Sequence, residues 1–338
     1  MQTRNIRNLL ALAAALVSAA WCQAPNPPVG EQKRPPMQQQ RYRSKITVYD
    51  LAKHSASTLY EDDQTIIEAP NWMRDGKSLM VNRGGNLYKL PVTGEAKLEQ
   101  IVLSPGTYRC NNDHDFSRDG KLLAFSANPP GARSSQVFLA NADGSNAHGM
   151  VTTPDPSYFH GWSPDGKWMG FVAQRNGKFE LFRVPVTGGD EQRLTSAGGY
   201  DDGIEYSPDG KWIYFNSNRG GVWRIWRIPP DGGGPGDAKA EKLTDNDLED
   251  WFPHISPDGK QMLVFGFPKG TENHNGKMDG VQLRLMATPG AKVTLPAKME
   301  TLVTFYGGQG TINVNSWSPD SKKFAYVVYE PIEAGAGR

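Results

Sequence analysis

Six times the chain passes through one turn phrase: "WMRDGK" at Asp75, "FSRDGK" at Asp119, "WSPDGK" at Asp165, "YSPDGK" at Asp209, "ISPDGK" at Asp258 and "WSPDSK" at Asp320. Successive aspartates lie 44, 46, 44, 49 and 62 residues apart. A unit of that size, with a strand-like segment on each side of its turn, cannot bury its apolar surface alone. Copies must pack on one another, and a period of about 40–50 residues is that of a propeller blade. The stretch 204–244 shows one blade in full: "IEYS", the turn "PDG", "KWIYFNS", the turn "NRGG", "VWRIWRIP", and "AEKLT" after a Gly-rich loop. The fold class predicted is therefore all-β, a six-bladed β-propeller with four antiparallel strands per blade. The high content of Gly (37) and Pro (25) suits its many turns.

Closure follows from counting strands. After Asp320 only "KKFAYVVYE" precedes a Gly/Ala-rich tail, so the last blade lacks two strands. "SKITVYDLAK" and "STLYE" (Ser44–Lys53 and Ser57–Glu61) have no turn motif before them and are the missing pair. Joining both termini in one blade removes the open sheet edges and ties the ring without a disulfide. Each turn aspartate is expected to accept a hydrogen bond from the backbone two residues on, while the following glycine takes the left-handed conformation.

The domain plan read from the sequence is a signal peptide at 1–24, a Pro/Gln-rich tether at 25–43, the propeller at 44–330 and a tail at 331–338. Arg4 and Arg7 precede the apolar run Leu9–Ala20, too short to span a bilayer but suited to a secretory leader, which leaves no integral span after cleavage. Periplasmic or secreted localisation is expected. Lipidation at Cys22 is the alternative, disfavoured by bulky Trp21 where a small residue is wanted. The only other cysteine, Cys110, is expected to be unpaired. Lys+Arg 37 against Asp+Glu 36 leaves a net charge of +1 with no basic tract, which argues against nucleic acid as a partner.

The phrases "YSPDGKWIYFNSNRGG" and "TGGDEQRLT" resemble the WD40-like (PD40) repeat of the TolB family of periplasmic β-propellers. The resemblance covers about 44–330 and implies an exported propeller; a monomer is expected, with an envelope protein as partner or, by the similarity to oligogalacturonate lyases, an acidic glycan. TolB itself carries an α/β domain ahead of its propeller, where this sequence has a leader and a tether, so a role in the Tol system does not carry over.

Candidate site residues come from where the repeats disagree. Positions five and seven before each aspartate should share the channel side of the innermost strand, at its upper mouth. Five before stand His114, His160 and Asn315; seven before stand Asn112, Tyr158, Asp202, Trp251 and Asn313. Glu205 lies beside them, and His254 joins them only if Pro253 introduces a bulge. These ten form the predicted ligand-binding arc, with Trp251 and Tyr158 as candidates to stack on a sugar. Polar side chains that merely avoid unpaired burial in a wet channel are the competing reading. His114, His160, Asp202 and His254 could instead hold one divalent ion, Mn, Ca or Zn. Two functions stay open: a binding module holding a protein or glycan at the upper mouth, and a metal-assisted polysaccharide lyase, a reading suggested by similarity to oligogalacturonate lyases. No G-x-S-x-G motif supports a serine hydrolase. Arg83, Arg175 and Arg219 recur in the repeat and read as structural.

Overall fold

The computed structural model describes residues 40–333; the segment read as a signal peptide, most of that read as a tether and the residues beyond Glu333 lie outside the described residues. Five four-stranded antiparallel sheets follow one another, each ordered from innermost to outermost strand in chain order. The sixth sheet joins Ser55–Asp62, Arg41–Asp50 and Lys323–Ile332, with the bridge Trp317–Phe324 supplying its innermost position. The ring is a six-bladed propeller with the termini sharing the last blade, as the strand count requires.

The closing contact is longer than expected. Arg41–Asp50 pairs with Lys323–Ile332 from Arg41 opposite Ile332 to Asp50 opposite Lys323. The strand thus begins three residues before Ser44, and its partner runs past Glu330. Polar residues at its start concealed it: Arg43 stands opposite Glu330, 3.9 Å from it.

Each turn forms as the sequence requires. The Oδ1 of Asp75, Asp119, Asp165, Asp209, Asp258 and Asp320 accepts the N–H two residues on, at 2.9–3.2 Å. Where Ser stands two before, its hydroxyl donates to the same oxygen, at 2.6–2.7 Å. Both bonds hold these exposed carboxylates below their usual pKa in the five turns that have the serine.

Blades adhere through large apolar side chains at one repeat position. Trp72, Phe116, Trp162, Tyr206 and Trp317 are all 6% exposed or less, and burial of such a ring contributes roughly 2–3 kcal/mol. Trp162 and Trp317 also donate their indole N–H to the preceding blade's inner strand, at Asp115 O (3.3 Å) and His254 O (3.0 Å). Seven residues past three of the turns, a buried polar side chain staples the next blade. Asn82 donates to Cys110 O and Asn111 O, Ser126 Oγ accepts Phe159 N–H, and Asn216 Oδ1 accepts Phe252 N–H. The repeat arginines are paired as the structural reading expects: Arg83 with Asp62, Arg175 with Glu191, Arg219 with Asp201 and Asp237.

Candidate functional site

The strict alternation assumed for the innermost strands does not hold. Pairing with the second strand slips between Glu68 and Asn71, Cys110 and His114, Phe159 and Gly161, Asp202 and Glu205, and Trp251 and His254. In three blades the residue six before the aspartate sits in the left-handed region: Ala69 (φ 54°), Gly203 (φ 64°) and Phe252 (φ 47°). A bulge re-aims the side chains that follow it, so the candidates separate into distinct environments.

One group is a buried polar cluster. His160 Nε2 donates to Asp202 Oδ1 at 3.0 Å and lies 3.9 Å from Asp113 Oδ1. Asn313 donates to Asp113 Oδ1 and, at 3.3 Å, to Asn112 O. Blades two, three, four and six thereby meet through side chains that are all under 9% exposed. Burial pushes Asp113 up to about 6, against the pull of the His160 charge. Burial alone would depress His160, but the Asp202 hydrogen bond and the charges of Asp113 and Asp202 together raise it.

A second group forms around Glu205. Its Oε2 faces His254 Nδ1 at 2.8 Å, and its Oε1 accepts Ile255 N–H (2.7 Å) and Asn315 Nδ2 (2.6 Å). His254 Nε2 donates to the Ile312 carbonyl at 2.6 Å, so both ring nitrogens are engaged. Between the two groups stands the fully buried ring of Phe252, stacked on His160 and on His254 with centroids 6.0 and 6.2 Å apart. Gly203 makes this possible, because a Cβ there would lie 3.0 Å from the Phe252 ring and 2.5 Å from Asn216 Oδ1.

His114 belongs to neither group. Its Nε2 donates to Ala69 O at 3.0 Å, its Nδ1 has no partner, and burial pushes its pKa down to about 4. The proposed metal set therefore divides. His160 and Asp202 are together, His254 is engaged at both nitrogens, and His114 points into the blade-one contact. Among the described residues no three His, Cys, Asp or Glu side chains are grouped to hold an ion. These residues do not fit a resident divalent metal.

The remaining candidates lie towards the upper face. Tyr158 is half-buried, and burial and then the charges of Asp113 and Asp202 raise its pKa. Rings run on from it in contact: Tyr158 to Phe179 (6.3 Å), Phe179 to Tyr200 (4.6 Å), Tyr200 to Trp223 (5.3 Å) and Trp223 to Trp251 (4.2 Å). Trp251 is 3% exposed and stacked by His274, itself bonded to Glu249, so it has no free face for a sugar.

His160, Glu205 and Asn315 open instead on a cavity of about 280 Å³ at the opposite, turn-bearing mouth. Its rim carries Pro208, Pro257 and Pro319 from the turns, and Arg74 and Arg118 where the repeat usually has that proline. Asp113 and both arginines were missed. The bulge hid Asp113, whereas Arg in place of Pro in "MRDGK" and "SRDGK" was legible in the repeat alignment.

Comparison with known proteins agrees with this ring. The TolB beta propeller domain family, PD40, matches residues 145–292. Uncharacterized protein Atu1656 of Agrobacterium fabrum is 38% identical over 291 residues, 86% of this chain and 94% of its own length. The structure of a candidate TolB from Agrobacterium tumefaciens superposes with a TM-score of 0.78 at 36% identity, covering 86% of this chain and 99% of the other. The chain belongs to the TolB β-propeller family. Acinetobacter baumannii TolB shares the fold more distantly, at 19% identity and TM-score 0.58, over 79% of this chain and 64% of its own. An oligogalacturonate lyase in complex with manganese matches at 13% identity and TM-score 0.51, over 83% and 78% of the two chains. That likeness is one of fold alone, and this TolB-family ring lacks a matching ligand cluster among its described residues. No described helix is long and apolar enough to cross a membrane.

Proposed function

We propose that this TolB-family propeller is an exported binding module that holds a protein ligand at its upper channel mouth. One observation carries the reading: Tyr158, Phe179 and Tyr200 form a contiguous, half-buried ring surface, with Tyr158 and Tyr200 within reach of the charges of the buried Asp113 and Asp202. Rigid aromatic surface beside desolvated polar groups is what protein interfaces concentrate at their centres. An acidic glycan is disfavoured there, because Asp113 and Asp202 lie beneath the rings and Arg83, Arg175 and Arg219 are each paired with a carboxylate. The loops joining the second and third strands of blades two and five, 129–135 and 268–276, belong to the same face, where loops on a fixed scaffold commonly carry binding.

The lyase reading gains nothing from the geometry, since two of its three histidines are engaged with backbone carbonyls. A photo-crosslinking residue placed at Phe179 or Tyr200 in living cells should yield one discrete protein adduct, and none when placed at the exposed turn residue Lys121. No adduct at either upper position, or binding of polygalacturonate abolished by Tyr200→Ala, would refute the protein-binding reading.

A further inference from the structure

The lower cavity is independent of the upper-face reading and has a chemistry of its own. Its acids are already satisfied: Asp115 takes both oxygens to Arg74 at 2.8 and 2.9 Å, and Glu205 accepts from Ile255 and Asn315 and faces His254. Arg118 is exposed at the same mouth and makes no ion pair or hydrogen bond among the described residues, so its guanidinium is free to meet a ligand entering the cavity. Partial desolvation and then the Arg74 charge lower its pKa against the opposing pull of Glu205 and Asp115, and a bound anion would favour its charged form. The apolar part of the lining is formed by Trp162, Trp317, Ile255 and the rim prolines, beside the polar His160 and Asn315. Gly161 is part of the same lining, at a repeat position where other blades carry Asn71, Asp115, Glu205, His254 or Ser316, and a Cβ there would lie 3.0 Å from Ile204 O of the next blade.

We propose that this lower cavity binds a small organic carboxylate, with Arg118 pairing the carboxylate and Trp162, Trp317 and Ile255 enclosing the apolar body. A guanidinium fork matches a carboxylate in two parallel bonds, and apolar walls favour a carbon skeleton over a bare oxyanion. The volume lies just under the range of about 300–1,000 Å³ usual for small-molecule sites, which restricts the ligand to a compact one such as an aromatic or branched aliphatic acid.

Isothermal titration of the whole protein with benzoate, benzamide and inorganic phosphate at low salt tests this. Benzoate should bind once per chain, with benzamide and phosphate at least tenfold weaker. Arg118→Gln should weaken benzoate at least tenfold with an unchanged thermal midpoint, since a hydrogen-bonded charge contributes about 1.5–3 kcal/mol and tenfold is about 1.4. Arg118→Lys, which keeps the charge and loses the fork, should fall between. Undetectable benzoate binding, equal binding of benzamide, retention in Arg118→Gln, or phosphate binding as tight as benzoate would each overturn the assignment.

Discussion

Replacing His114 with glutamine turns a buried imidazole into a measurable pH effect. The ring is wholly inaccessible, donates Nε2–H to Ala69 O and keeps an unpartnered Nδ1, so a proton cannot be accepted there without a buried charge. Its pKa drops from 6.5 to about 4. Below pH 6.5 the unfolded chain therefore binds a proton that the folded one refuses, and stability falls as the pH is lowered. At pH 4 the loss is about 3 kcal/mol, from the fall from 6.5 to about 4 at about 1.4 kcal/mol per tenfold in proton affinity, reduced by partial protonation of the folded form. Asp113, raised from 3.8 to about 6, acts with the opposite sign, because the folded state holds its proton more tightly and gains stability as pH falls through that window. The two nearly cancel in the wild type, so the difference between proteins is the informative quantity. His114→Gln retains an N–H donor but does not titrate. In urea unfolding it should be less stable than wild type at pH 7.5, with the gap narrowing by about 3 kcal/mol at pH 4. A gap constant to within about 0.5 kcal/mol, near the additivity error of such comparisons, would refute the buried neutral imidazole.

Further outcomes follow from other buried groups. Arg227 is fully buried, bonded to Glu241 and to the carbonyls of Pro289, Gly290 and Ala291, and stacked 3.8 Å from Trp212; Arg227→Leu should cost about 3 kcal/mol by urea unfolding. Gly203→Ala should cost roughly 3 kcal/mol, from its φ of 64° and a Cβ driven into Asn216 and Phe252, and should expose tryptophan emission changes at the channel. The Cys110 thiol, buried and pushed up to about 12, should resist an aromatic disulfide reagent in the native protein and react stoichiometrically once unfolded.

Much of the ring was legible because its signals are local. A Ser-x-Asp-Gly turn needs only its own hydroxyl, carboxylate and left-handed glycine, so Asp119, Asp165, Asp209 and Asp258 announced themselves in six residues each. Strand counting likewise placed the N-terminal segments in the last blade, although the polar pairs Arg43 and Glu330, Lys45 and Glu330 carried the contact past the expected ends. The candidate site was legible only as a set of unusual residues at one height of the ring. His160, Asp202 and Asn313 do converge, yet His114, at the same repeat position as His160, turns instead to a carbonyl of blade one.

The sequence alone determined the number of blades, the turn chemistry, the four-strand plan and the closure, because periodic spacing and turn propensity act within a few residues of one another. Tertiary structure alone decided which polar side chains share a space. Bulges beside Ala69, Gly203 and Phe252 shift each strand's facing by one residue, and their consequence depends on blades some forty residues or more away. That is why Phe252 came to stand between two histidines, and why the open cavity lies at the arginine-bearing mouth instead of the one the repeat alignment indicated.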